Sequence, residues 1–159
     1  MKPLGPPITP AGMAALKARY DHLLETERPA IVEIVSWAAG NGDRSENGDY
    51  IYGRKKMREI DRELAHLIKR MKALRVVDPV DQIDQSRIFF GAQVKIADED
   101  DNRQTIQLVG DDEQEASAGR IGWNSPVARA LRGAQVGDLR TVTLPSGTRE
   151  WEVLAIAYD

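Results

Sequence analysis

Two runs of apolar residues spaced three and four apart, separated by a short glycine-bearing turn, restrict this chain more than any other feature. From Met13 the first run takes in Leu16, Tyr20, Leu23, Ala30, Ile34 and Trp37, with one miss at Glu27. The second takes in Met57, Ile60, Leu64, Leu67, Met71 and Leu74 with no miss. Alternating steps of three and four are the seam of a coiled coil. Two such seams joined by a short turn predict an antiparallel helical hairpin. Thr9-Pro10 offers an N-cap followed by proline at the first helical position, so the first arm starts there. About thirty residues per arm at 1.5 Å each make a rod of roughly 45 Å, too slim to be a globular core. Pro29 removes a backbone hydrogen bond inside the first arm, which predicts a kink or split there and looser packing beside Glu27.

Val76-Val77-Asp78-Pro79 closes the second arm, and beyond it the apolar pattern changes to period two. Strands are predicted over 88–97, 104–109, 139–144 and 150–158, with turn chemistry at 98–102 and 145–147. One short helix interrupts them, with Ser125 as N-cap, Pro126 in the first turn, Val127, Ala130 and Leu131 on one face, and Gly133 as the stop. The class is α+β. Residues 1–8 read as a proline-rich flexible arm, 9–78 as a coiled-coil hairpin with an acidic tip at 40–50, 79–86 as a linker, and 87–159 as a sheet domain packed on one helix.

The chain has no cysteine, which excludes disulfides and thiolate metal sites. No run approaches the ~18 apolar residues of a membrane span, and no apolar leader core follows Met1, so a cytoplasmic protein with no membrane partner is expected. The net charge of -3 hides an asymmetry: residues 1–78 carry 14 basic and 11 acidic side chains, residues 79–159 carry 8 and 14. No G-x-S-x-G, P-loop or G-x-G-x-x-G is present, so hydrolase and nucleotide-binding readings lack their minimal machinery.

The turn between the arms puts Asp43, Glu46 and Asp49 within seven residues. One reading is local, with Asp43 as N-cap and Glu46 at N3 forming a capping box for the second helix. A cap needs one acid, however, and like charges at this density repel. The other reading is half of a metal site. Magnesium takes six oxygens in near-octahedral order, and two carboxylates on a turn hold it weakly unless another chain supplies more ligands. Just past the turn, Arg54, Lys55, Lys56 and Arg58 form a basic cluster able to attract a phosphate backbone, although such runs are usually a solvated helix face. Asp98 to Asp101 lacks the glycine and distal Glu of a calcium loop and reads as a solvated turn. His22 and His66 read as surface residues.

The stretches "ERP" (27–29), "WAA" (37–39), "GDRSENGDYIYG" (42–53), "REIDR" (58–62), "VVD" (76–78), "FFGAQVKI" (89–96), "LVGDDE" (108–113), "SPVARAL" (125–131) and "VGDL" (136–139) together resemble the Gre family of bacterial transcript cleavage factors, its GreB branch in particular. The tip stretch is the most specific of them. The resemblance implies an N-terminal antiparallel two-helix coiled coil and a C-terminal FKBP-like antiparallel sheet domain. It also implies a factor that docks on RNA polymerase at the rim of the secondary channel and stimulates the polymerase to cut backtracked transcripts. On that resemblance Asp43 and Glu46 assist the catalytic Mg²⁺, shared with the polymerase and bound only in the complex. Ser45, Asn47, Asp49 and Tyr50 support the tip, and Ser125 and Pro126 contact the polymerase. Arg54, Lys55, Lys56 and Arg58 would hold the nascent RNA 3′ end, and a monomer that is no enzyme by itself is expected. Gly48 departs from the family's alanine and predicts a late or frayed start to the second helix. Two other functions fit less well: a channel blocker that does not promote cleavage, and a prolyl isomerase or chaperone using the C-terminal domain. For the last, Phe89, Phe90, Trp123 and Trp151 are the only Phe or Trp residues after the hairpin, and most are expected in the core.

Overall fold

The computed structural model describes residues 5–41 and 47–159, and the chain divides into two units: Met13–Ala73, and Met1–Gly12 together with Leu74–Asp159. The first arm of the hairpin is α1 (Pro10–His22), a π-helical turn (Leu23–Glu27) and α2 (Arg28–Ala39), and the second arm is α3 (Gly48–Ala73). Its 26 residues make α3 about 39 Å long. Leu23, Ile31, Ile60, Leu64 and Leu67 are buried together, with Leu16, Tyr20, Met57 and Met71 packed against them. α3 thus carries the seam read from its sequence. Exposed ion pairs flank it: Arg19 Nε to Glu63 at 2.9 Å, and Arg28 Nε to Asp61 at 2.8 Å. Pairs so exposed fix register more than they add stability.

The split at Pro29 takes a definite form. Pro29 has no N–H, and its ring crowds the carbonyl four residues back. The chain widens just ahead of it: the Arg28 N–H donates to the Leu23 carbonyl, five residues back, and α2 begins with Pro29 in its first turn. A π-turn takes up one extra residue, so the seam slips by one. From Leu23 the next buried apolar side chain is Ile31, eight positions on instead of the heptad's seven. The expected seam through Ala30, Ile34 and Trp37 is therefore corrected. Ile31 and Ala38 face inward at 7% and 0% exposure, whereas Ile34 and Trp37 are 44% and 64% exposed. Glu27 lies in the π-turn and pairs with Arg19 at 3.0 Å. Nearer the tip the arms approach closely at Gly53, where a Cβ would stand 2.7 Å from Val35 Cγ2.

The second unit is built on a sheet of order β5-β4-β3-β7-β6, formed by β3 (Gln93–Ala97), β4 (Arg103–Val109), β5 (Arg120–Gly122), β6 (Leu139–Leu144) and β7 (Gly147–Ala157). Val94, Ile96, Ile106, Leu108, Val142, Trp151 and Val153 form its core with Ala128 and Leu131 of α4 (Pro126–Leu131). Two expectations are corrected. The sheet is mixed, because β5 runs parallel to β4. β5 has three residues, too few to show an alternating pattern. Also, Pro7–Ile8, placed by sequence in the flexible arm, form a strand, β1, parallel to β2 (Arg75–Val76). Arg75 N–H donates to the Pro6 carbonyl at 2.8 Å and Val77 N–H to the Ile8 carbonyl at 2.8 Å. Proline costs such a parallel pair little when its missing donor faces away from the partner. Ile8 is fully buried.

The slipped seam separates two neighbouring isoleucines. Ile31→Ala should lower stability by about 2–4 kcal/mol, and Ile34→Ala by no more than about 0.5 kcal/mol, read from urea unfolding of the helical circular dichroism signal. Equal losses, or the reverse order, would show that the seam does not slip.

Candidate functional site

At the far end of the hairpin, α2 stops through local bonds: Gly40 N–H donates to the Trp37 carbonyl and Asn41 N–H to that of Ala38, both at 3.1 Å. α3 starts at Asn47, whose Oδ1 accepts from the Tyr50 N–H at 3.1 Å and whose carbonyl accepts from the Ile51 N–H at 3.0 Å. This is an N-cap. The same amide turns its Nδ2 to the Ala38 carbonyl at 2.7 Å, so one side chain caps the second arm and closes the last turn of the first. The capping-box reading is thereby corrected: the cap of α3 is Asn47, four residues beyond Asp43, because its side chain serves both arms at once. Gly48 does not delay the helix, which begins there. Asp43, Ser45 and Glu46 lie outside the described residues. Asp49 is exposed in the first turn of α3, where negative charge suits the helix dipole, and Tyr50 is half-buried behind it.

The basic cluster is not one surface. Arg54 and Arg58 are four apart on α3 and share an exposed face, and Lys55 is exposed on another. Lys56 is half-buried and lines a groove with Arg19, Glu27, Glu59 and Glu63, where carboxylates already compete for its charge.

In the second unit Ser125 caps α4, its Oγ accepting from the Ala128 N–H at 3.2 Å, and Pro126 sits exposed in the first turn. The segment is held from behind. Asp111 accepts from the Asn124 N–H at 3.0 Å and from Asn124 Nδ2 at 2.8 Å. Arg132 donates to the Trp123 carbonyl and to Asn124 Oδ1, and its guanidinium lies 3.8 Å from the centre of the Trp123 ring. Burial lowers the pKa of Arg132, the Arg129 charge lowers it further, and Asp111 opposes both. Trp123 stands edge-on to Phe90 at 5.7 Å. Sequence reading does not single out Asp111, Asn124 or Arg132; the available signal was Asp111 within "LVGDDE", a motif with no role attached.

Phe90 and Trp151 are core residues, and Phe89 and Trp123 are half-buried. Clefts open on this unit among the described residues. One is lined by Asp98–Asp100 and Ser146–Arg149, another by Gln93, Thr105–Gln107 and Ala118–Arg120, and neither holds an aromatic side chain to take a proline ring. In the first, the Asp98 carboxylate is taken up by its own turn. It accepts from Asn102 and Asp100, and the Asn102 bonds lead in holding its pKa below the ordinary carboxylate value.

Two family models match the chain: residues 6–76 match "Transcription elongation factor, N-terminal", and residues 83–158 match "Transcription elongation factor, GreA/GreB, C-term". A transcription elongation factor GreB of Neisseria meningitidis serogroup B is 49% identical over 151 residues, 95% of this chain and 93% of that one. The GreB of Yersinia pestis is 44% identical over 95% of this chain and 88% of its own. A GreA of Ralstonia nicotianae is 39% identical over 96% and 97%.

The double role of Asn47 has a measurable consequence. Asn47→Ala should destabilise the hairpin by about 1–2 kcal/mol and speed hydrogen exchange at the Tyr50 and Ile51 amides, while Asn47→Asp, which keeps the acceptor, should lose less. An alanine variant with unchanged exchange at those amides would remove the cap from the account.

Proposed function

The chain belongs to the GreA/GreB family of transcription elongation factors, in its GreB branch, and we propose that it enters the secondary channel of RNA polymerase and stimulates cleavage of backtracked transcripts by the polymerase itself. What carries this reading is the Asn47 bridge. It brings the ends of two long arms within one hydrogen bond of 2.7 Å, and the eight residues between Ala38 and Asn47 include Asp43 and Glu46. A slim stalk with two acids in its closing segment suits a narrow channel. Because Asn47 supplies the cap, α3 does not need either acid to start.

Asp43 and Glu46 offer only oxygen donors, the kind Mg²⁺ takes, but too few for its six positions, so they fit as half of a site whose remainder is the polymerase's. Held there by Asp43 and Glu46 together with the polymerase's ligands, such an ion would supply activation of water for the displacement. The pair's own task is to bring negative charge and two oxygen donors to that point. Asn47 positions the start of α3, and Asp49 adds charge beside it. Arg54, Lys55 and Arg58 hold the extruded RNA 3′ end through its phosphates, an attraction that weakens as salt rises, while Lys56 contributes less from its acid-lined groove. Ser125 and Pro126 dock the second unit on the channel rim. The factor is a cytoplasmic monomer that lends ligands to another enzyme's metal and turns nothing over by itself.

Stalled elongation complexes test this directly. Wild type should accelerate cleavage, and Asp43→Ala should lose at least about tenfold of that stimulation, equivalent to about 1.4 kcal/mol, while polymerase still co-purifies with it. Equal cleavage by both proteins removes the proposal, and slower nucleotide addition without any cleavage would replace it with a channel blocker.

A further inference from the structure

The loop Gly110–Glu113 belongs to a motif that the proposed function leaves unused, yet hydrogen bonds converge on it from two directions. On one side is the start of α1. Thr9 is its N-cap: the Gly12 N–H, three residues on, donates to Thr9 Oγ at 3.0 Å. In a complete capping box a glutamate at that third position reaches back to the N–H of the cap residue. Here the third position is glycine, and the carboxylate comes from Glu113. Glu113 Oε2 accepts from the Thr9 N–H at 3.0 Å and from the Gly110 N–H at 2.8 Å, and Oε1 accepts from the Thr9 hydroxyl. A Cβ on Gly12 would land on the Glu113 carboxyl group, so the glycine is the space through which the remote acid enters. Thr9 is 5% exposed, so no water replaces the bond cheaply.

On the other side is the segment leading to Pro126. Asp111, two residues before Glu113, takes both the backbone and side-chain N–H groups of Asn124. A Cβ on Gly122 would stand 2.9 Å from Asp111 Oδ1, so this approach too depends on a missing side chain. Both carboxylates are carried by one 3-10 turn, Asp111–Glu113, whose Glu113 N–H bonds back to the Gly110 carbonyl at 2.9 Å. A short turn bonded at each end does not shift at one end without loading the other.

We propose that Glu113 and Asp111 are positioning residues and that their loop couples two places: Glu113 completes the capping box of α1 from 104 positions away, and Asp111 fixes the segment Asn124–Pro126. The coupling itself is a property of the free chain. Its use, tying polymerase contact at Pro126 to order in the first turn of α1, rests on the docking role proposed above.

Hydrogen exchange on the full chain without polymerase tests the coupling. Glu113→Ala should speed exchange of residues 9–13 by roughly fivefold, the loss of a cap, and should also speed residues 122–126. Asp111→Ala should do the same with the larger effect at 122–126, and Asp111→Asn, which keeps one acceptor, should fall between. Adding Gly12→Glu to Glu113→Ala supplies the missing acid locally, so it should restore protection at 9–13 and leave 122–126 loose. That double variant also guards against a global loss of fold. Unchanged exchange at 9–13 in Glu113→Ala overturns the cap, and loosening confined to the mutated side in both alanine variants overturns the coupling. Co-purification with polymerase tests its use separately: Asp111→Ala and Pro126→Ala should both bind roughly tenfold more weakly. If Pro126→Ala binds like wild type, the docking role fails while the exchange result still decides the coupling; if Pro126→Ala is weak and Asp111→Ala is not, the link to docking fails.

Discussion

Everything at the hairpin tip depends on one narrow apolar seam, because two arms with water on most sides have little else to hold them together. Five buried side chains and a few half-buried ones do that work, and their line must face the partner arm throughout. Pro29 threatens that alignment by removing a donor in the middle of the first arm. The π-turn ahead of it solves the problem with one residue, turning α2 so that Ile31 and Ala38 close the seam. The turn also gives Glu27 a place outside the seam, beside Arg19 and opposite Glu63 and Lys56. Packing therefore stays continuous to Gly53 and Val35, close enough to the end of the arms for Asn47 to reach across.

What was readable in advance follows from how locally each feature is encoded. The α3 seam, the Thr9 and Ser125 caps and the break at Pro29 depend on residues within one or two turns, and sequence spacing reveals them. The seam beyond Pro29 differs from the heptad expectation because a heptad count carries no sign of an inserted residue, although the miss at Glu27 marks the spot. β5 is not legible in the sequence because three residues show no period, nor is β1, because a proline-rich start looks like an arm until its partner at 75–76 is known. At the candidate site, chemistry was readable in Asp43 and Glu46 as residue types, whereas the cap at Asn47 required knowing where α3 begins. Glu113 could not be paired with Thr9 by any local rule. Gly12, where a capping box would place glutamate, was the only trace.

In the second unit, Asp98, Asp111 and Glu113 are each engaged by backbone N–H groups and serve the fold. At the start of α3 the cap is an uncharged amide, that of Asn47. At α4 the hydroxyl of Ser125 does the capping, and Pro126 beside it is exposed.

The pairing of β1 with β2 also sets an order of events during synthesis. Ile8 leaves the ribosome well before its strand partner, which follows 68 positions later at Val76, and the acid that seals the turn after it comes later still, at Glu113. The hairpin is thus translated in full while the chain ahead of it lacks its neighbours, and closing so large a loop costs chain entropy that grows only slowly with length. A nascent chain halted before residue 113 would hold a finished stalk on an unsealed base.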